Sequence, residues 1–211
     1  MDRKESLLRI GIDLFSEQGY KKVSIEDIVQ HAGLSIGSFY TYFQSKKELY
    51  IAIIESIEEQ GKAEANRIVD RLTSPMNQLK ALYHFTTLGL KNSPILKGVL
   101  TGNSKYLFPG YSEWRDREDS LENHVKNHLS EIIRRGSMNR HFRTGIYNNP
   151  QLLITSLFEA ILLHLDDEDH SADLVNDVLM LLQRGIRRRI RIRKRNEKIE
   201  GRDKLPEYLQ W

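Results

Sequence analysis

The chain has 211 residues, 32 Lys/Arg against 29 Asp/Glu, a formal net charge of +3 and no cysteine. That length can bury a sizeable core, while the missing cysteines exclude disulfides and thiolate metal sites. No apolar run approaches the ~20 residues that span a bilayer, and the acid-bearing amphipathic start MDRKESLLRIGIDLF argues against a signal peptide, so the expected address is the cytoplasm with no membrane partner.

Charge is unevenly distributed. Residues 1–50 hold seven Lys/Arg and seven Asp/Glu, whereas Arg184 to Arg195 holds eight Lys/Arg and no acid; without that segment the net +3 becomes −5.

In chain order, an amphipathic first helix leads to Phe15 and Gly19. Ser24 with Asp27 three places on reads as a capping box opening a helix that buries Ile25, Ile28, Val29 and Ala32. Gly33 follows the last apolar position, where a left-handed residue closes a helix and Leu34 packs back under the turn. Ser35 caps the next segment, Ile36 to Tyr42. There Gly37 and Ser38 allow close approach of a partner surface, Phe39 and Phe43 are spaced for the core, and Tyr40, Thr41 and Tyr42 point elsewhere. Ser45 and Glu48 repeat the capping pattern and place Lys46 and Lys47 in the first turn of a third helix. Cations there oppose the helix dipole unless a phosphate joins them. Two short helices, a tight turn and a newly capped helix form a DNA-reading device.

Helical periodicity continues to the tail. The helix from Lys46 has apolar positions at Leu49, Ala52, Ile53 and Ile57, turns polar at Glu58–Glu64 and regains Ile68, Val69 and Leu72, as expected of a long, intermittently buried strut. Ser74-Pro75, Ser93-Pro94 and Asn149-Pro150 each read as an N-cap followed by proline at the first helical position. A single helix is expected from about Ser112 to Arg135, closed at Gly136. The last two helices, from Pro150 and from Ala172, are apolar nearly all round, which requires cover on both sides.

Residues 24–49 and the helix before them resemble the tetracycline-repressor (TetR) family of bacterial transcriptional regulators. The shared pattern comprises Phe15 and Gly19, Ser24, the helix Ile25 to His31, Ala32-Gly33-Leu34-Ser35, Gly37-Ser38-Phe39-Tyr40, Tyr42-Phe43, Ser45-Lys46 and Glu48-Leu49. It covers about the first quarter of the chain. The resemblance implies an all-α fold: a three-helix DNA-binding domain over 1–60, with its helix-turn-helix at about 25–44, then a larger helical effector-binding and dimerisation domain over 61–185. Residues 186–211 form a basic extension. The resemblance further implies a ligand-responsive regulator and not an enzyme. It is expected to be a repressor that binds a near-palindromic operator as a homodimer and is released by a small-molecule effector.

By the same resemblance Ser35, Ile36, Gly37, Ser38, Tyr40 and Thr41 read the major groove, and Ser24, Tyr42 and Lys46 hold phosphates. The family often carries a polar residue where this chain has Ile36, so base reading there is apolar. The dimer is expected through the last two helices, at Leu157, Ile161, Leu165, Leu174, Val178 and Leu181. Tyr83, His84, Phe85, Tyr106, Phe108, Trp114, Phe158 and His164 fall in segments that would line an effector pocket, although aromatics at this spacing also make ordinary core. The scarcity of clustered charge there favours a largely apolar effector. No cofactor is expected.

Two constellations bear on a rival, metal-responsive reading. His124 and His128 lie i,i+4 on one helix face without a third ligand in sequence, and His164 to His170 encloses Asp166, Asp167, Glu168 and Asp169. A helical enzyme or adaptor that retains the helix-turn-helix is the other alternative; no nucleophile elbow or phosphate loop is present. The basic tail has three readings: an extension of the last helix, a mobile arm that adds non-specific DNA affinity, or a segment that attracts anionic membrane or another acidic partner.

Overall fold

A computed structural model describes residues 2–143, 147–164 and 171–186. Ten helices carry these residues: α1 (Arg3–Gln18), α2 (Ile25–Ala32), α3 (Ile36–Tyr40), α4 (Lys46–Arg71), α5 (Pro75–Lys91), α6 (Pro94–Leu100), α7 (Tyr111–Arg115), α8 (Leu121–Met138), α9 (Pro150–Leu163) and α10 (Ser171–Gly185). The fold is all-α. No helix among the described residues is long and apolar enough to cross a membrane. Leu165, the acidic stretch 166–169, His170 and the basic tail from 187 lie outside the described residues.

Among the described residues the helices pack as two units, one of residues up to Gly61 with Leu90–Ser120, the other of Lys62–Gly89 with the described residues from Leu121 onward. The first unit thus adds to the expected 1–60 domain a segment that the sequence reading assigned to the effector domain. The aromatic content of that segment explains the assignment: Phe108 meets Tyr20 and Tyr50 at ring distances of 6.1 and 5.6 Å, and Phe15 meets Tyr50 at 4.8 Å. Polar links run through the same cluster. The Tyr50 hydroxyl donates to the Tyr106 carbonyl at 2.9 Å, the Tyr106 hydroxyl to Ser16 O at 3.0 Å, and the Tyr20 amide to Lys105 O at 2.9 Å. Gly19 allows this approach, because its φ of +82° is in the left-handed region and a Cβ there would lie 2.5 Å from the Lys105 carbonyl oxygen.

The helix expected over 112–135 is broken after Arg115, and the break separates α7 in the first unit from α8 in the second. Arg117 occupies the gap. Its Nε donates to Trp114 O at 3.0 Å, its Nη2 to Glu58 at 2.6 Å, and its guanidinium lies 4.0 Å from the Trp114 ring centroid. Glu58, expected on a solvated stretch of α4, is only 3% exposed because it answers this cation. Nor does Gly136 close α8, which runs on to Met138. The glycine serves packing: a Cβ at that position would stand 2.3 Å from the Phe142 ring.

In the second unit the core is built by Leu79, Leu82, Tyr83, Leu129, Ile132, Ile133, Ile154 and Phe158, all buried. Gln78 donates to the carbonyls of Val69 and Leu72 at 2.8 and 2.7 Å and so satisfies the C-terminal end of α4. Lys126 of α8 bridges Glu122 at 2.7 Å and Glu159 of α9 at 2.6 Å.

Candidate nucleic-acid interface

The helix-turn-helix is built by local hydrogen bonds that the sequence dictates. Asp27 N donates to Ser24 Oγ at 3.1 Å while Ser24 N donates to the Asp27 carboxylate at 2.8 Å, which completes the capping box. At the other end of α2, Gly33 takes φ +64°; its amide donates to Gln30 O and that of Leu34 to Val29 O, a Schellman closure. Ser35 then caps α3, its Oγ accepting from Ser38 N at 3.2 Å. Ser45 accepts from Glu48 N at 3.1 Å, and the Glu48 carboxylate reaches one residue beyond the cap to take Gln44 N at 2.6 Å. Because every turn is closed within a few residues, α3 is fixed on the unit by its own sequence.

Phe39 and Phe43 anchor α3 from beneath, both buried, with Tyr40 edge-on to Phe39 at 5.5 Å. The opposite side presents Ile36 at 45% exposure and Tyr40 at 55%, with Gly37 and Thr41 exposed between them. Positions i, i+1, i+4 and i+5 share one helical face, so these four make a continuous neutral surface with an apolar end and two hydroxyls. Thr41 Oγ1 donates to Gly37 O at 3.1 Å, and Ser38 is half-buried against Ser35, with 3.0 Å between the hydroxyls.

The three expected phosphate holders differ from this free face. The Ser24 hydroxyl donates to Asp27 at 2.6 Å, and that hydrogen bond, with the backbone one, holds the Asp27 carboxyl below its ordinary value. Tyr42 is half-buried. Lys46 turns inward: its ammonium donates to Tyr20 O at 2.9 Å and Val23 O at 2.7 Å and lies 4.5 Å from the Tyr20 ring centroid. Partial burial lowers its pKa despite the nearby Asp27. Lys46 therefore ties α4 to the α1–α2 turn. Lys21 and Lys22 are exposed in that same turn, directly before the cap.

The described residues of the other expected sites divide between the units. Tyr106, Phe108 and Trp114 belong to the aromatic cluster of the first unit. In the second, Tyr83 is buried with its hydroxyl donating to Ile154 O at 2.8 Å and its ring edge-on to Phe158 at 6.0 Å, His84 and Phe85 are half-buried, and His164 is exposed. Burial pushes the Tyr83 hydroxyl pKa up, and burial together with Lys80 pushes that of His84 down. Of the residues expected at a dimer contact, Ile161 and Val178 are buried within their own chain, Leu157 and Leu174 are half-buried, and Leu181 is 58% exposed, beside exposed Leu152, Leu153 and Met180.

Residues 7–53, which contain all of this helix-turn-helix, match the family described as bacterial regulatory proteins, tetR family. Over these residues the chain is similar to tetR-family proteins. Among curated relatives, the transcriptional regulator AcuR of Cereibacter sphaeroides is 28% identical over 100 residues, 47% of this chain and 46% of AcuR. The nucleoid occlusion factor SlmA of Vibrio cholerae is 24% identical over 135 residues, 64% of this chain and 68% of SlmA. The chain thus spans about half the length of the first relative and about two thirds of the second. Two solved structures share the fold: FadR from Bacillus subtilis in complex with stearoyl-CoA, with TM-score 0.65, 18% identity and coverage of 84% and 96%, and a transcriptional regulator from Saccharomonospora viridis in complex with choline, with TM-score 0.69, 14% identity and coverage of 88% and 98%.

Outside the matched residues, His124 and His128 approach Asn66 of α4 within the second unit. Burial, His124 and Arg135 together push the His128 pKa below the ordinary histidine value, against the pull of Asp70. Among the described residues no three His, Cys, Asp or Glu side chains converge as metal ligands.

Proposed function

We propose that the chain is a DNA-binding transcriptional regulator, acting as a repressor, that reads a near-palindromic operator as a homodimer and is released by a small, largely apolar effector. The observation that carries this reading is the free face of α3, Ile36, Gly37, Tyr40 and Thr41, standing on buried Phe39 and Phe43. It fits a major groove, with Ile36 against a thymine methyl and the hydroxyls of Tyr40 and Thr41 toward base edges or phosphate. Ser35 and Ser38 cap and brace this helix, Tyr42 follows it, Ser24 and Lys46 fix its frame, and exposed Lys21 and Lys22 in the α1–α2 turn are proposed to meet phosphates.

A neutral head binds DNA weakly by bulk attraction, so the reading requires two heads on one site. The exposed apolar side chains Leu152, Leu153, Met180 and Leu181 supply a surface for pairing, with Leu157 and Leu174 at its margin. The bound stearoyl-CoA and choline of the two similar structures support an effector held in the helical body, and Tyr83, His84, Phe85 and Phe158 are the residues of the second unit proposed to meet it. A cytoplasmic location follows from this role.

A selection of the full chain on random duplexes, repeated with acyl-CoA and choline added, tests the reading. The expected product is a near-palindrome with half-sites about one helical turn apart. Tyr40→Ala should cost at least tenfold in affinity without moving Tm. Failure to enrich any sequence, sedimentation as a monomer at micromolar concentration, or unchanged affinity in Tyr40→Ala would overturn it.

A further inference from the structure

His124 and His128 are one turn apart on α8, and their rings meet edge to face, 4.7 Å between centroids at 86°. Both Nε2 atoms converge on one oxygen. His124 Nε2 lies 3.0 Å from Asn66 Oδ1, His128 Nε2 lies 2.8 Å from it, and the two nitrogens are 3.2 Å apart. All three residues belong to the second unit, Asn66 on the last turns of α4.

No placement of hydrogens gives all three edges of this triangle a hydrogen bond. If both Nε2 atoms carry hydrogen, both donate to the amide oxygen and the 3.2 Å nitrogen–nitrogen edge has no hydrogen bond. If only one carries hydrogen, it serves the other nitrogen, whose lone pair is then spent while the remaining hydrogen-free edge sets nitrogen against the amide oxygen. If neither does and the amide is turned to donate its NH₂ to both, the nitrogen–nitrogen edge is again without a hydrogen bond. A cation above the centre of the triangle engages all three corners at once, since three lone pairs then meet one positive charge.

The size of the triangle also fits. Ligands about 2.1 Å from a metal stand about 3.0 Å apart on the face of an octahedron and about 3.4 Å apart in a tetrahedron. The observed edges of 2.8, 3.0 and 3.2 Å match the octahedral face. Two imidazoles and an amide oxygen suit a borderline transition metal such as Ni²⁺, Co²⁺ or Zn²⁺ better than Mg²⁺ or Ca²⁺. Asp70, one turn beyond Asn66 on α4, contributes negative charge felt at His128. Asn66 with Asp70 and His124 with His128 are two i,i+4 pairs on neighbouring helices.

We infer that Asn66, His124 and His128 form a divalent transition-metal site that braces α4 against α8, with Asp70 supplying charge beside it. This site stands independently of the DNA-binding reading, since metal binding can be measured on the chain without DNA.

The test is calorimetric titration of the tag-free, chelator-treated full chain with NiCl₂, CoCl₂, ZnCl₂ and MgCl₂, with the Co²⁺ absorption spectrum as a second readout. One equivalent of Ni²⁺, Co²⁺ or Zn²⁺ should bind per chain, with a weak six-coordinate Co²⁺ spectrum and no competition from a tenfold excess of Mg²⁺. His128→Gln and His124→Gln should each weaken binding at least tenfold, with helix content by circular dichroism unchanged. Asn66→Asp, which places a carboxylate at the third corner, should tighten it; this gain of function does not depend on a damaged fold. Binding that survives in the double variant His124→Gln/His128→Gln, binding unmoved by Asn66→Asp, or no stoichiometric binding at all would overturn the site. None of these outcomes bears on operator selection.

Discussion

Lys46→Met separates two roles for the lysine at the start of α4. The ammonium holds two carbonyls, Tyr20 O at 2.9 Å and Val23 O at 2.7 Å, and both flank the turn that sets the start of α2. Hydrogen bonds to a charged donor are worth about 1.5–3 kcal/mol each when lost with the partner left behind. Burial opposes the charge here, as the lowered pKa indicates, and methionine retains most of the stem contact with Tyr20. A net loss of about 1–2 kcal/mol follows, a fall in Tm of about 2–8 °C for a chain of this length. Differential scanning calorimetry without DNA measures it directly. Operator titrations between 50 and 200 mM salt complete the assay. Each phosphate contact contributes about 0.9 to the slope of log K against log salt, so a lysine acting purely as a phosphate ligand in both heads would lower the slope by about 1.8 when removed. The expected result is a clear loss of stability with a change in slope well below that value. An unchanged Tm with a slope reduced by about 1.8 would refute the bracing role.

Two glycines inside helices should respond in opposite directions to alanine. Gly98→Ala places a Cβ 2.0 Å from the Tyr106 ring and should cost about 1–3 kcal/mol in chemical denaturation, despite alanine's better helix propensity. Gly89→Ala, with nothing within 4 Å, should gain about 0.5–1 kcal/mol. His84 has its pKa pushed down by burial and by Lys80, so the unfolded chain takes up the proton first. Its contribution is present above the ordinary histidine pKa of about 6.5 and is lost as pH falls through the lower folded value. His84→Gln should therefore flatten the decline in stability between pH 7 and 5, seen as a Tm difference that shrinks on acidification.

The helix-turn-helix was legible because its instructions are local. Ser24 with Asp27, Gly33 with Leu34, and Ser35 and Ser45 each act within five residues, and the structure closes every one of these caps. What escaped depends on partners distant in sequence. Glu58 reads as solvated until Arg117, 59 positions away, meets it. Lys46 reads as a free cation until the Tyr20 and Val23 carbonyls claim it. Gly136 looks like a helix stop, yet its lack of a side chain admits Phe142. The histidine pair lacked a third corner in sequence because Asn66 lies 58 positions upstream of His124. The exposed face of α3 was read correctly as pointing away from Phe39 and Phe43, since i,i+4 spacing alone sets that division.

The contact between Gly19 and Lys105 limits how portable the helix-turn-helix unit is. The α1–α2 turn is hydrogen-bonded to a loop 85 residues downstream, and Lys105 Nζ also donates to Glu17 O at 2.8 Å. A hybrid regulator spliced at residue 60 would set Gly19, Tyr20 and Tyr50 against a foreign loop, with a carbonyl at the wrong height and no Phe108 to fill the gap. Exchanging operator specificity between this chain and another therefore calls for two coordinated cuts, so that residues 90–120 travel with the head they were shaped to hold.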